Sequence, residues 1–221
     1  MLDLIVIAGG RATRLGGLDK PALVFEGRPL LFRSVDAGIA VGARHTVVVG
    51  YEGTMELPAE IWRAREEPRW AGPAAALVAG LRRLTPAAGG GTDNADDSPL
   101  IAVLPGDLLR PHAALAALLA GARPLLTPDS GLDGALAVDA NGQRQPLLSI
   151  FRAPRIIAAT EAFGAATNLS VRRVLESLAL AEIRIDDEAL QDIDTADDAA
   201  RVGIILPGFT GGPASGPASV R

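Results

Sequence analysis

The sequence predicts a single α/β domain built on a mostly parallel sheet covered on both faces. Two observations carry this. The apolar runs at 4–8, 45–50 and 100–104 are continuous rather than alternating, as strands buried on both sides require. Stretches with helical spacing lie between them, giving the β-α-β order of a parallel sheet.

The first strand, 4–8, runs into Gly9-Gly10. A basic glycine-rich segment follows, with Arg11, Arg14, Gly16-Gly17 and Asp19-Lys20. Glycines let a backbone turn tightly and aim its N–H groups at an anion, and the cations add mobile positive charge. The segment reads as a phosphate site; the other reading is an ordinary strand-to-helix turn with a solvated basic loop. Its spacing matches neither a Walker A loop nor a dinucleotide fingerprint.

Next comes a helix over 28–43, with Leu30, Leu31, Val35, Ile39 and Val41 apolar and Gly42 ending it. The second strand follows at 45–50, and a short third at 61–65. Gly72-Pro73 opens a helix, since proline is tolerated in a first turn. Residues 85–99 read as an exposed loop, and its Asp93, Asp96 and Asp97 as solvated rather than metal-binding. The strand 100–104 ends at Pro105-Gly106-Asp107, and Pro111 opens a helix to 121. Shorter strands are expected at 123–127, 133–138, 147–152 and 181–186, and helices near 153–163, 170–179 and 196–204. Thr195 is the expected N-cap of the last helix, with Asp197 and Asp198 in its first turn. No internal repeat or linker appears. The domain is expected to span 1–206, followed by a disordered tail, 207–221, of Pro, Gly, Ser and Ala.

Of 221 residues, 48% are hydrophobic but only 4% aromatic, so aliphatic and alanine packing must fill the core. A net charge of −5 argues against a general nucleic-acid surface. The absence of cysteine excludes disulfides, thiolate metal sites and a cysteine nucleophile. The most apolar stretch, 113–126, contains Arg123 and Pro124 and is shorter than the ~20 residues a membrane helix needs. The first residues read as a core strand rather than a charged leader. A cytoplasmic protein without nucleic-acid or membrane partners is the expectation.

Ligands of an open parallel sheet gather at the carboxyl ends of its strands. The glycine loop, Asp107, and the pair Asp192 and Asp194 all fall there. Carboxylates beside a phosphate loop make a good Mg²⁺ site, because this ion bridges carboxylates to substrate phosphates. The other reading of these acids is turn formation and helix capping. His45 and His112 sit in contexts that read as structural or surface.

The pattern A-G-G-x-x-x-R-x-G-G-x-D-K, present from Ala8 to Lys20, resembles the molybdenum cofactor guanylyltransferase (MobA-like) family of nucleotidyltransferases. The resemblance extends over roughly 3–204. It includes Glu66-Glu67-Pro68 before Gly72-Pro73, Leu104-Pro105-Gly106-Asp107, Gln145-Pro146-Leu147, and Asp192-Ile193-Asp194-Thr195 before Asp197-Asp198. It implies a Rossmann-like three-layer nucleotidyltransferase fold and Mg²⁺-dependent transfer of GMP from GTP to molybdopterin, with release of pyrophosphate. It also implies roles for residues. Ala8, Gly9, Gly10 and Glu67 would bind the nucleotide. Arg14 and Lys20 would neutralise its phosphates and serve catalysis. Asp107 would contact nucleotide and metal, with Asp194 or Asp192 as second metal ligand. Transient contact with molybdenum-cofactor enzymes or their chaperones would follow. The chain departs from the family at Gly50-Tyr51, where guanylyl-transferring relatives often carry an amide, at Leu108-Leu109, and at Glu67, where Asp is common. These departures bear on base and acceptor, leaving open a cytidylyltransferase or a transferase for another small phosphorylated acceptor; a non-catalytic nucleotide-binding protein is a separate alternative, against which Arg14, Lys20, Asp107 and Asp194 argue. Arg172 and Arg173 are candidates for the acceptor phosphate or for a solvated helix face.

Overall fold

A computed structural model describes residues 1–9, 18–88, 99–163 and 169–206. Its main sheet has seven strands. In chain order they are β1 (Leu2–Ile7), β4 (Thr46–Val49), β5 (Trp62–Ala64), β6 (Leu100–Pro105), β7 (Gly134–Val138), β8 (Arg144–Arg152) and β9 (Leu180–Arg184). Two further strands, β2 (Val24–Phe25) and β3 (Arg28–Pro29), form a separate hairpin. The main sheet order is β5-β4-β1-β6-β8-β7-β9. All pairs are parallel except β6–β8 and β7–β8.

The expected burial of both sheet faces is present. In β1, Leu4 and Val6 face one core and Ile5 and Ile7 the other, as a two-residue period dictates. The first core packs under α1 (Leu30–Ala40) and α3 (Pro111–Ala122). The second packs under α2 (Pro73–Ala88), α4 (Ala153–Glu161) and α5 (Val171–Leu175). Leu4 and Ile5 keep no exposed surface, and burial of each stabilises the fold by about 1.5–3 kcal/mol.

A third, smaller core joins distant segments of the chain. Leu23, Phe25, Leu30, Leu109, Ile193, Ala199, Ile204 and Leu206 pack together. They join the β2–β3 hairpin and the end of β6 to the C-terminal α7 (Ala196–Arg201). The segment before α7 is thereby pinned beside Lys20. An isolated antiparallel bridge, Leu108 to Asp192, reinforces it, with Leu109 N–H donating to the Gln191 carbonyl at 3.0 Å. Thr195 caps α7 as expected, in a reciprocal capping box with Asp198.

Several boundaries differ from expectation. Arg28 and Pro29 belong to β3 rather than a helix. Glu26 (φ 48°) and Gly27 (φ 77°) make a two-residue turn with positive φ at both positions, the geometry hairpins favour. The expected strand at 123–127 is absent. The chain there leads into a 3-10 turn, Pro128–Ser130, and the Arg152 guanidinium bonds the Leu126, Thr127 and Leu132 carbonyls. Helix α2 continues to Ala88, past the expected break, with the Thr85 hydroxyl bonded to the Leu81 carbonyl at 2.8 Å. Strand β8 begins at Arg144 and α5 ends at Leu175. A short α6 (Asp187–Leu190), capped by Asp186, was not foreseen. The proposed tail lies outside the described residues.

Candidate active site

The register of the sheet brings three strand ends to one edge, the candidate site. Ile7 of β1 is level with Val49 of β4 and Pro105 of β6, so all three strands deliver their chains to the same edge. Ala8-Gly9, Gly50 and Gly106-Asp107 emerge there together. Ala8 N–H donates to the Val49 carbonyl at 2.9 Å, and Gly106 N–H to the Ile7 carbonyl at 2.8 Å.

Two of these backbones nearly touch. A Cβ on Gly50 would stand 2.8 Å from the Gly9 Cα, and Gly50 has φ +79°. Neither the space nor the conformation suits a side chain. Gly50→Ala is therefore expected to destabilise the fold by roughly 1–3 kcal/mol, read as a lower midpoint in chemical denaturation. An unchanged midpoint would contradict so close a crossing.

Lys20 opens a short 3-10 turn, Lys20–Ala22, and is largely buried. Its Nζ donates to Asp194 Oδ1 at 2.7 Å, across 174 positions of sequence. Asp107 and Asp192 lie in the same electrostatic neighbourhood. Burial pushes the Asp107 carboxyl above the ordinary carboxylate range; Lys20 opposes the rise and Asp194 adds to it. Desolvation, then Asp107 and Asp194, push Asp192 up to about 6, against the pull of Lys20. Asp192 is nonetheless exposed to solvent on one side, so part of this desolvation is relieved by water.

This crowding has a pH consequence. Between about pH 4, where the unfolded carboxyl titrates, and 6, folded Asp192 keeps a proton the unfolded chain has released. Stability contributed by that proton is present at low pH and lost as pH rises through this window. Asp192→Asn should therefore melt above the wild type at pH 7.5 in EDTA, with the difference shrinking towards pH 4. A variant that melts lower at pH 7.5 would mean that the charged form is the stabilising one.

Three acids opposed by one ammonium are suited to a divalent cation. Among the described residues, no three His, Cys, Asp or Glu side chains converge as a ready-made cage. Mg²⁺ is commonly held by one or two carboxylates together with substrate phosphates, so it does not require such a cage.

Of the other expected residues, Ala8 is buried and Gly9 exposed at the glycine crossing. Gly10 and Arg14 lie outside the described residues. Asp19 accepts from the Tyr51 hydroxyl at 3.1 Å, tying the chain before Lys20 to the segment after β4. Glu67 is exposed, whereas its neighbour Glu66 is buried against Gly50. Trp62, Ala64 and Glu66 continue a two-residue alternation that turns Glu66 inward and leaves Glu67 outward. His45 bonds Asp3 at 3.0 Å beyond the opposite end of the sheet, and stacks on Trp62. Arg173 pairs with Glu176 on an exposed surface, and Arg172 is exposed. Among the described residues no helix is long and apolar enough to cross a membrane.

Comparison with known proteins bears on the family and the fold. The chain is 33% identical over 149 residues to a molybdenum cofactor guanylyltransferase of Burkholderia lata, a match covering 64% of this chain and 65% of that protein. Its fold is similar to that of molybdopterin-guanine dinucleotide biosynthesis protein A from Archaeoglobus fulgidus (17% identity, 91% of this chain and 96% of the other, TM-score 0.60). It is also similar to the inositol-1-phosphate CTP transferase of T. maritima (16%, 89% and 90%, TM-score 0.60). A third likeness is to 2-C-methyl-D-erythritol 4-phosphate cytidylyltransferase of Francisella tularensis (14%, 91% and 98%, TM-score 0.63). The expected α/β nucleotidyltransferase fold is thus present. The model of the MobA-like NTP transferase domain matches residues 4–183, from β1 to β9, and the chain belongs to that family.

Proposed function

We propose that this chain is a Mg²⁺-dependent nucleotidyltransferase that moves GMP from GTP to molybdopterin, forming the guanine dinucleotide cofactor and pyrophosphate. One observation carries the reading: a largely buried lysine, bonded to Asp194 at 2.7 Å, also acts on Asp107 and Asp192 at the strand ends, where the Gly9 and Gly50 backbones cross. The named activity of the Burkholderia lata relative supports the donor and acceptor.

Each residue has a task. Gly9, with no side chain, lets the nucleotide lie against the backbone. Lys20 exchanges part of its bond with Asp194 for the substrate phosphates and neutralises them. Asp107 and Asp194 would hold Mg²⁺, which supplies charge neutralisation at the phosphoryl oxygens when bound. Gly10, Arg14 and Glu67 remain candidates for nucleotide contact. A terminal phosphate oxygen of the acceptor forms a bond to the α-phosphorus as the bond to the bridging α–β oxygen breaks, and pyrophosphate carries away the electron pair. No general base is needed, because that phosphate is already largely ionised at neutral pH. A cytoplasmic setting and transient contact with molybdenum-cofactor enzymes or their chaperones belong to the same proposal.

Transfer of CMP is the second reading. It is favoured by Gly50-Tyr51, which places no amide at the end of β4. Thermal melts with GTP, CTP, ATP and UTP, each with and without Mg²⁺, separate the two. A ligand at a hundredfold excess over its Kd adds about 2.7 kcal/mol. A GTP-selective shift supports the first reading and a CTP-selective shift the second. No shift at millimolar nucleotide overturns both.

A further inference from the structure

Tyr51 follows β4 at the ligand edge of the sheet, and its ring packs against the first core with Met55 and Leu57. Met55 N–H donates to the phenol oxygen at 3.2 Å, and the phenol donates to Asp19 Oδ2 at 3.1 Å. Burial raises the Tyr51 phenol above its ordinary value; the Met55 N–H opposes the rise and the Asp19 carboxylate adds to it. The hydroxyl therefore keeps its proton, and stays the donor, at neutral pH. A Cβ on Gly53 would overlap both the Asp19 carboxylate and the Tyr51 hydroxyl, so the pair lies directly against the Gly53 backbone. Asp19 immediately precedes Lys20, and its carbonyl accepts from Ala22 N–H at 3.0 Å across the short turn that Lys20 opens. Asp194 thus holds the tip of the Lys20 side chain, and Tyr51 holds the main chain that delivers it.

We propose that Tyr51 is a positioning residue for the transfer reaction: its hydroxyl clasps Asp19 and so fixes the main chain that carries Lys20. This rests on the nucleotidyl-transfer reading above. Lysine is a compact charge on a long flexible stem. When phosphates arrive, its ammonium gives up part of the Asp194 bond, and the tip is no longer held in one place. The clasp keeps the base of the side chain fixed at that moment, so the ammonium moves between two acceptors over a short, defined path. A misplacement of about 1 Å is enough to cost on the order of 10²-fold in rate. Tyr51 acts in this way on the triphosphate, which every NTP shares, and not on the base. Gly53 belongs to the same device, because a side chain there would force the phenol and the carboxylate apart.

The test is kcat/KM for pyrophosphate release by the full chain, with molybdopterin and Mg²⁺, below the melting temperature of every variant. Tyr51→Phe removes only the hydroxyl and should lose about tenfold. The factor should be the same with GTP and ITP, which differ in the base alone. Asp19→Ala and Gly53→Ala should lose a similar factor, and Tyr51→Phe combined with Asp19→Ala no more than either alone. Asp19→Asn should keep most of the wild-type rate, because the amide oxygen still accepts from the phenol. In the Lys20→Ala background, Tyr51→Phe should cost less than about twofold further. A tenfold loss that persists without Lys20 would make Tyr51 a support of the fold, and unequal factors for GTP and ITP would set it against the base; either overturns the proposal. So would an Asp19→Asn variant as slow as Asp19→Ala. If wild type releases pyrophosphate and Tyr51→Phe matches it, the positioning role alone fails. If wild type releases none with any NTP, the proposed function fails and this role falls with it.

Discussion

Lys20→Ala is expected to lower kcat/KM for pyrophosphate release by about 10²–10³-fold, the usual scale for losing a positioned electrostatic stabiliser. It should also abolish the melting shift given by the preferred nucleotide. Lys20 is the described cation that faces Asp107, Asp192 and Asp194. Without it, an anionic acceptor approaches an anionic triphosphate with less opposing charge. The effect extends to the unliganded protein. Removal of the ammonium leaves Asp194 without its 2.7 Å donor and takes away the charge that restrains Asp107 and Asp192. Lys20→Ala should therefore melt below wild type at pH 7.5, and the deficit should narrow as the pH falls towards 4 and the acids become neutral. Lys20→Arg should recover the stability but only part of the rate, since a planar fork does not replace a compact ammonium. Undiminished turnover in Lys20→Ala would remove Lys20 from the chemistry.

Asp107→Asn has the second-largest expected effect, a loss of about 10²-fold or more in rate at saturating Mg²⁺. Its signature is the dissociation of rate from stability. Burial already disfavours the Asp107 carboxylate, so the neutral amide should leave the melting temperature at pH 7.5 unchanged or higher. The rise in melting temperature that Mg²⁺ adds in the presence of nucleotide should disappear. A variant that loses stability and rate together would mark Asp107 as a structural turn residue.

Much of this was legible in the sequence because it follows from local pattern. Strands β1, β4 and β6 are buried on both faces, so their runs are continuous and easily read, and their glycine endings mark the ligand edge. Pro111, and Thr195 with Asp198, announce their helices by chemistry that acts within one turn. Features that depend on distant partners were not legible in this way. The β2–β3 hairpin rests on two-residue strands and a Glu-Gly turn, too short for periodicity to register. The antiparallel placement of β8 between β6 and β7 leaves no mark on its composition. The meeting of Lys20 with Asp194 is created by the small core around Ile193, which joins segments far apart in the chain. Family likeness names Glu67, and the fold leaves that side chain exposed while alternation from β5 turns its neighbour Glu66 inward towards Gly50.

The most direct measurement is pyrophosphate release, coupled to detection of the dinucleotide product, with molybdopterin as acceptor and each NTP in turn. GMP transfer predicts product and pyrophosphate in equal amounts with GTP, dependent on Mg²⁺ and on the acceptor, and lost in Lys20→Ala and Asp107→Asn. Product with CTP alone, or none with any NTP from a chain that binds nucleotide tightly, would contradict it.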